Sequence, residues 1–131
     1  MIGIQNVTAN GKKRQAIIIT RGDCGILDVD ISNGNEQFEM STDDTIELTV
    51  RQKPRSDSPV LLHSVSAPGV PQIIFHKEDT QIPPGKYSAD IQLNHGNCRY
   101  TVWPGIDVDA DTDDKANRGN FIVLTEVTMD E

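Results

Sequence analysis

Residues 77–108, KEDTQIPPGKYSADIQLNHGNCRYTVWPGIDV, decide the fold, because they read as turn, strand, turn, strand, turn, strand. In Ile82-Pro83-Pro84-Gly85, proline fixes φ and glycine supplies conformations that other residues avoid, which makes a tight connection. The strand KYSADIQL follows. Tyr87, Ala89, Ile91 and Leu93 fall on alternate positions and share one face, with Lys86, Ser88, Asp90 and Gln92 on the other. His95-Gly96-Asn97 closes a hairpin. CRYTVW then returns with Cys98, Tyr100 and Val102 on one side and Arg99, Thr101 and Trp103 on the other, until Pro104-Gly105 stops it.

Working outward, the same period of two recurs. QAIIIT (15–20) is a short β-branched run ending at the turn Arg21-Gly22-Asp23. In ILDVDI (26–31), Leu27, Val29 and Ile31 alternate with Asp28 and Asp30, which face water. IELTVRQK (46–53) sets Ile46, Leu48 and Val50 against Glu47, Thr49 and Arg51. VLLHSV (60–65), QIIFHK (72–77) and NFIVLTEV (120–127) bring the number of strand-like segments to about eight. Their spacing of about 8–12 residues fits an all-β sandwich or barrel. The one helical candidate is the short segment DTDDKAN, 111–117, which reads better as a loop. The fold class expected is therefore all-β, an antiparallel sandwich. Residues 1–14 are polar with little periodicity and read as a flexible N-terminal arm, leaving 15–131 as a single domain.

Composition narrows the function classes. Hydrophobic residues are 36% of the chain and aromatics 5%, so the core must be economical and many strand faces wet. A net charge of −8 argues against nucleic-acid binding, because phosphate contacts need clustered Lys and Arg, and the only basic cluster is Lys12-Lys13-Arg14. No apolar run approaches the roughly 20 residues of a membrane span, so no membrane partner is expected. Cys24 and Cys98 are too few to suggest a disulfide-stapled fold, and two free thiols are the default.

The strongest local charge pattern is Asp107, Asp109, Asp111 and Asp113, whose first members have the D-x-D-x-D spacing of a calcium loop. The pattern then fails: Thr112 holds the position that wants glycine, and Arg118 stands where a bidentate glutamate closes such a loop. The alternative is a strand whose aspartates line its wet face, and no metal or other cofactor is expected. His63, His76 and His95 show no metal-ligand spacing. The RGD triplet is ordinary turn chemistry and a match common by chance. With no phosphate-cradling glycine motif and no G-x-S-x-G, no catalytic residues are assigned and an enzyme is not expected. Trp103 is the candidate interface residue, since tryptophan is enriched at hot spots, but alternation alone does not say whether its face is exposed or core.

In order along the chain, RGDCGILDVDI, DTIELTVRQKP, QIIFHKEDTQIPPGKYSADIQL and a return ending WPGIDVD resemble the immunoglobulin-like N-terminal domains of phage baseplate upper proteins and related prophage tail proteins. The matching features are Gly22-Asp23, the strand 46–53, and Pro84-Gly85-Lys86-Tyr87 with Asp90-Ile91, and the resemblance spans residues 16–108. Residues 118–131 add a strand outside the pattern. The resemblance implies an immunoglobulin-like sandwich in a virion, assembled in the host cytoplasm, whose partners are other virion proteins and further copies of itself. The alternative is a secreted or cell-surface bacterial module that binds carbohydrate or protein.

Overall fold

The computed structural model describes residues 3–9, 12–33, 36–104 and 119–126. Its strands are β1 (Gly3–Ala9), β2 (Lys12–Thr20), β3 (Gly25–Asp28), β4 (Ser32–Asn33), β5 (Glu36–Gln37), β6 (Thr45–Arg51), β7 (Val60–Val65), β8 (Gln72–Phe75), β9 (Gly85–His95), β10 (Cys98–Trp103) and β11 (Phe121–Leu124). One 3-10 turn, Lys77–Thr80, links β8 to β9. All eight segments expected as strands are present. The additions are β1 and the two-residue pair β4–β5.

The large sheet runs β1-β2-β11-β9-β6-β7, with β10 also paired to β9. The small sheet is β3 paired antiparallel with β8. Alternation fixes which side chains meet between them. Ile46, Leu48 and Val50 of β6 are buried on one face, as are Tyr87, Ala89, Ile91 and Leu93 of β9. They join Leu27 of β3, Ile73 and Phe75 of β8, and Phe121 and Val123 of β11 in one core cluster. Val29 and Ile31, which continue the alternation beyond β3, are buried too.

Two features agree with an immunoglobulin-like sandwich. The run β10-β9-β6-β7 over the pair β3-β8 has the connectivity of strands G, F, C and C′ over B and E. The Tyr87 hydroxyl donates to the carbonyl of Pro83, four residues upstream, tying the start of β9 to the preceding corner as a tyrosine corner does.

Central strand β9 is long enough to be paired in segments. Along one side it meets β6 from Ser88 to Asn94. Along the other it meets β11 at Gly85–Tyr87 and β10 from Ile91 to His95. Between those two partners the Asn120 side chain fills the gap: Ala89 N–H donates to Oδ1 and Nδ2 donates to Ala89 O, both at 2.8 Å. A side-chain amide carries one donor face and one acceptor face, so it replaces a strand residue here. The Asn120 carbonyl also accepts from Ile17 N–H at 2.8 Å, which anchors β2 to the same point.

Three expectations are corrected. Residues 3–9, expected within a flexible arm, pair antiparallel with β2 across the register Gly3↔Ile18 to Ala9↔Lys12. The sandwich is not wholly antiparallel, since β11 runs parallel to β2, which chain ends about a hundred residues apart permit without a hairpin. Trp103 does not share a face with Arg99 and Thr101. Register shifts between Thr101, opposite Gln92, and Trp103, opposite Ile91, so Val102 is the extra residue of a bulge. The bulge turns the indole onto the core face of Ile91, where it is 5% exposed, so it is a core side chain and not a surface anchor of this chain.

Among the described residues the Trp103 Nε1 has no hydrogen-bond partner. Trp103→Phe removes that unpaired donor and keeps most of the packing, so its expected cost is within about 1.5 kcal/mol. Trp103→Ala empties the site and costs about 3–5 kcal/mol. Urea unfolding of both variants checks this ordering, and equal losses would show that the indole N–H does have a partner.

Candidate interaction surface

The outer face of β7, β6, β9 and β10 carries the side chains that alternation excludes from the core. Glu47, Thr49 and Arg51 project from β6, Asp90 and Gln92 from β9, Arg99 from β10 and His63 from β7. Lys53, Pro54, Arg55 and Ser56 of the following loop raise a rim, giving an open basin of about 520 Å³ with no Phe, Tyr or Trp in its lining. Ser58, itself buried, holds that loop in place. Its carbonyl accepts from Arg51 Nη1 at 2.7 Å, and its hydroxyl accepts from Lys53 N–H at 3.0 Å.

Glu47 is the hub. Its carboxylate meets His63 Nε2 at 2.7 Å, Asn94 Nδ2 at 3.2 Å and Arg99 Nη2 at 3.3 Å. The His63 hydrogen bond, aided by Asn94 and the Arg99 charge, holds its pKa below the ordinary glutamate value against the opposing effect of burial. Asp90 goes the other way: burial raises its pKa, and the Arg51 charge offsets part of that. The local balance is cationic, with Arg51, Lys53, Arg55 and Arg99 around these two carboxylates, on a chain whose net charge is −8.

A second polar clamp lies at the far end of β9. Ser41 N–H donates to Asp44 Oδ2 at 3.0 Å, and His95 Nδ1 lies 2.8 Å from the same oxygen. The Ser41 bond, then His95, lowers the Asp44 pKa against burial. Phe38 packs edge-on against the His95 ring at 5.7 Å, so the clamp fastens the turn before β6 to the β9–β10 hairpin.

Because Asp44 and Glu47 have depressed folded-state pKa values, their stabilisation is present above their unfolded-state values and is lost as pH falls through the folded ones. The expected urea midpoint therefore falls below about pH 4.5, the ordinary glutamate value. Asp90, with its raised pKa, is relieved over the same range and blunts the fall. Glu47→Gln flattens the Glu47 part of the profile. A variant profile parallel to wild type would remove Glu47 from the account.

Among the described residues β7 ends the large sheet on one side, as β1 does on the other, and no strand pairs with the outer flank of β7. Strand β7 leaves Val60, Leu61 and Val65 exposed beside the basin, and its sequence VLLHSV contains no Lys, Arg, Asp or Glu. On the outer side of the small sheet, Ile26 and Ile74 lie opposite each other and are about half exposed.

Of the residues singled out from sequence, Trp103 is core. Asp107, Asp109, Asp111 and Asp113, with the helical candidate at 111–117, lie outside the described residues. Cys24 and Cys98 are exposed free thiols. His63 and His95 each meet a carboxylate, while His76 precedes the 3-10 turn and donates its backbone N–H to Asp79. The Glu47–His63–Arg99 cluster was not foreseen. Its one sequence signal was the wet-face alternation of Glu47, Thr49 and Arg51, and only strand register brings His63 and Arg99 to it. Comparison of the chain with family models, with curated proteins and with solved structures finds no match.

Proposed function

We propose that this chain is a non-enzymatic structural component of a phage or prophage virion, tail- or baseplate-associated, acting by self-association and by docking to other virion proteins. The observation that carries the reading is the open edge at β7. Edge strands are usually blunted by charge, proline or covering segments, and this one carries exposed Val60, Leu61 and Val65 with no charged residue. The resemblance of residues 16–108 to baseplate upper domains supports the setting. In this reading the chain binds neither nucleic acid nor membrane and needs no cofactor.

The basin favours a second reading, a secreted or cell-surface module. Its hydrogen-bonding side chains suit a polar ligand, carbohydrate or protein, although the lining lacks an aromatic platform for a sugar ring. Affinity capture on the tagged chain, from an induced lysogen and in parallel on a glycan array, separates the two. Tail or baseplate proteins recovered in stoichiometric amount are expected. Glycan binding without any virion protein would overturn the virion reading.

A further inference from the structure

We infer that β7 pairs antiparallel with β7 of a second copy of this chain, about a two-fold axis through His63; this rests on the self-association proposed above and names its surface. Ser66 N–H donates to Ile46 O at 2.8 Å, and the register continues through Leu48↔Ser64 and Val50↔Leu62. Backbone groups of an antiparallel strand alternate sides at each residue. Leu62 and Ser64 are therefore bonded to β6, while His63 and Val65 present N–H and C=O to the open edge.

Side chains alternate with the same period. Leu62 is buried, whereas His63 and Val65 are exposed, as is Leu61, the extra residue of the bulge opposite Val50 and Arg51. A strand added here must match both alternations, which requires odd residues against odd and even against even. Centring the two copies on His63 satisfies this and pairs Leu61 to Val65, all of the strand but Val60. His63 then faces His63, Leu61 faces Val65 on each side, and Leu62 faces Ser64.

The exposed series Leu61–His63–Val65 reads apolar, histidine, apolar in either direction, and a two-fold contact requires such self-complementarity. Charge allows it as well. Two copies of net charge −8 repel at long range, but β7 itself has no Lys, Arg, Asp or Glu, and beside it Glu47 is outnumbered by Arg51, Lys53 and Arg55. A six-residue edge falls short of the roughly 1,200–2,000 Å² of a standard stable interface. The pairing is accordingly weak, and it tightens where copies are held together on a larger assembly.

Sedimentation velocity over a concentration series, with amide NMR on the same samples, tests this. Wild type is expected to move toward dimer mass as concentration rises. The amides of His63 and Val65 gain protection, while those of Leu62 and Ser64, already bonded to β6, change little. Leu61→Lys with Val65→Lys is expected to weaken association by about tenfold or more, at a nearly unchanged melting midpoint, since both side chains are exposed. Association that persists in the double variant, or leaves the His63 and Val65 amides unprotected, overturns edge pairing and leaves self-association standing. A strict monomer at every concentration overturns both.

Discussion

Asn120→Ala is expected to be among the most damaging single substitutions, at about 2–5 kcal/mol, because it leaves the buried N–H and C=O of Ala89 without partners. Domains of this size are stable by only about 5–15 kcal/mol, so the loss is a large share of the total. The melting midpoint is expected to drop by on the order of 10 °C. Asn120→Asp tests the mechanism, since a carboxylate still accepts from Ala89 N–H but, when ionised, faces the Ala89 carbonyl with no proton to donate. Burial and that carbonyl raise the folded-state pKa of the new acid above its unfolded value. Its deficit against wild type is therefore smallest at low pH and grows as pH rises through the folded pKa. A deficit independent of pH would mean that the amide does not bridge Ala89.

Phe75→Ala and Phe121→Ala form the second large expectation, at about 3–5 kcal/mol each. Phe75 lies on β8 of the small sheet and Phe121 on β11 of the large one, both essentially inaccessible to solvent, with ring centroids 6.5 Å apart. Truncating either ring opens a cavity between the sheets. Because the rings touch across the sandwich, the double variant is expected to lose less than the sum of the singles, with a coupling of about 0.5–1.5 kcal/mol. Strict additivity in a denaturant double-mutant cycle would show that the two sheets are not coupled through this pair.

Both results bear on the proposed role. Asn120 holds β9 and β11 in register, the Phe75–Phe121 contact ties β8 of the small sheet to β11, and β9 in turn fixes β6 and the edge strand β7. A component that offers an edge to a second copy needs that edge rigid, since ordering a loose strand on contact would offset the gain from the new hydrogen bonds. The basin shares this frame. Its cationic rim and the Glu47 hub depend on four strands, β7, β6, β9 and β10, meeting in one register.

The sequence by itself determined the all-β class, the eight principal strands and nearly all of their inward faces. Strict alternation in IELTVRQK and KYSADIQL left Ile46, Leu48, Val50, Tyr87, Ala89, Ile91 and Leu93 no other place than the core. It could not supply what depends on pairing between distant segments. The bulge at Val102 inverts the face of Trp103, and no local pattern marks a one-residue slip. Asn120 looks like an ordinary polar residue at the start of a strand until Ala89, 31 positions earlier, needs both of its backbone groups paired. Likewise β7 reads in sequence like any other half-buried strand. Its being an edge is a property of the sheet order, because a strand becomes an edge only when no other segment of the chain pairs with its second side.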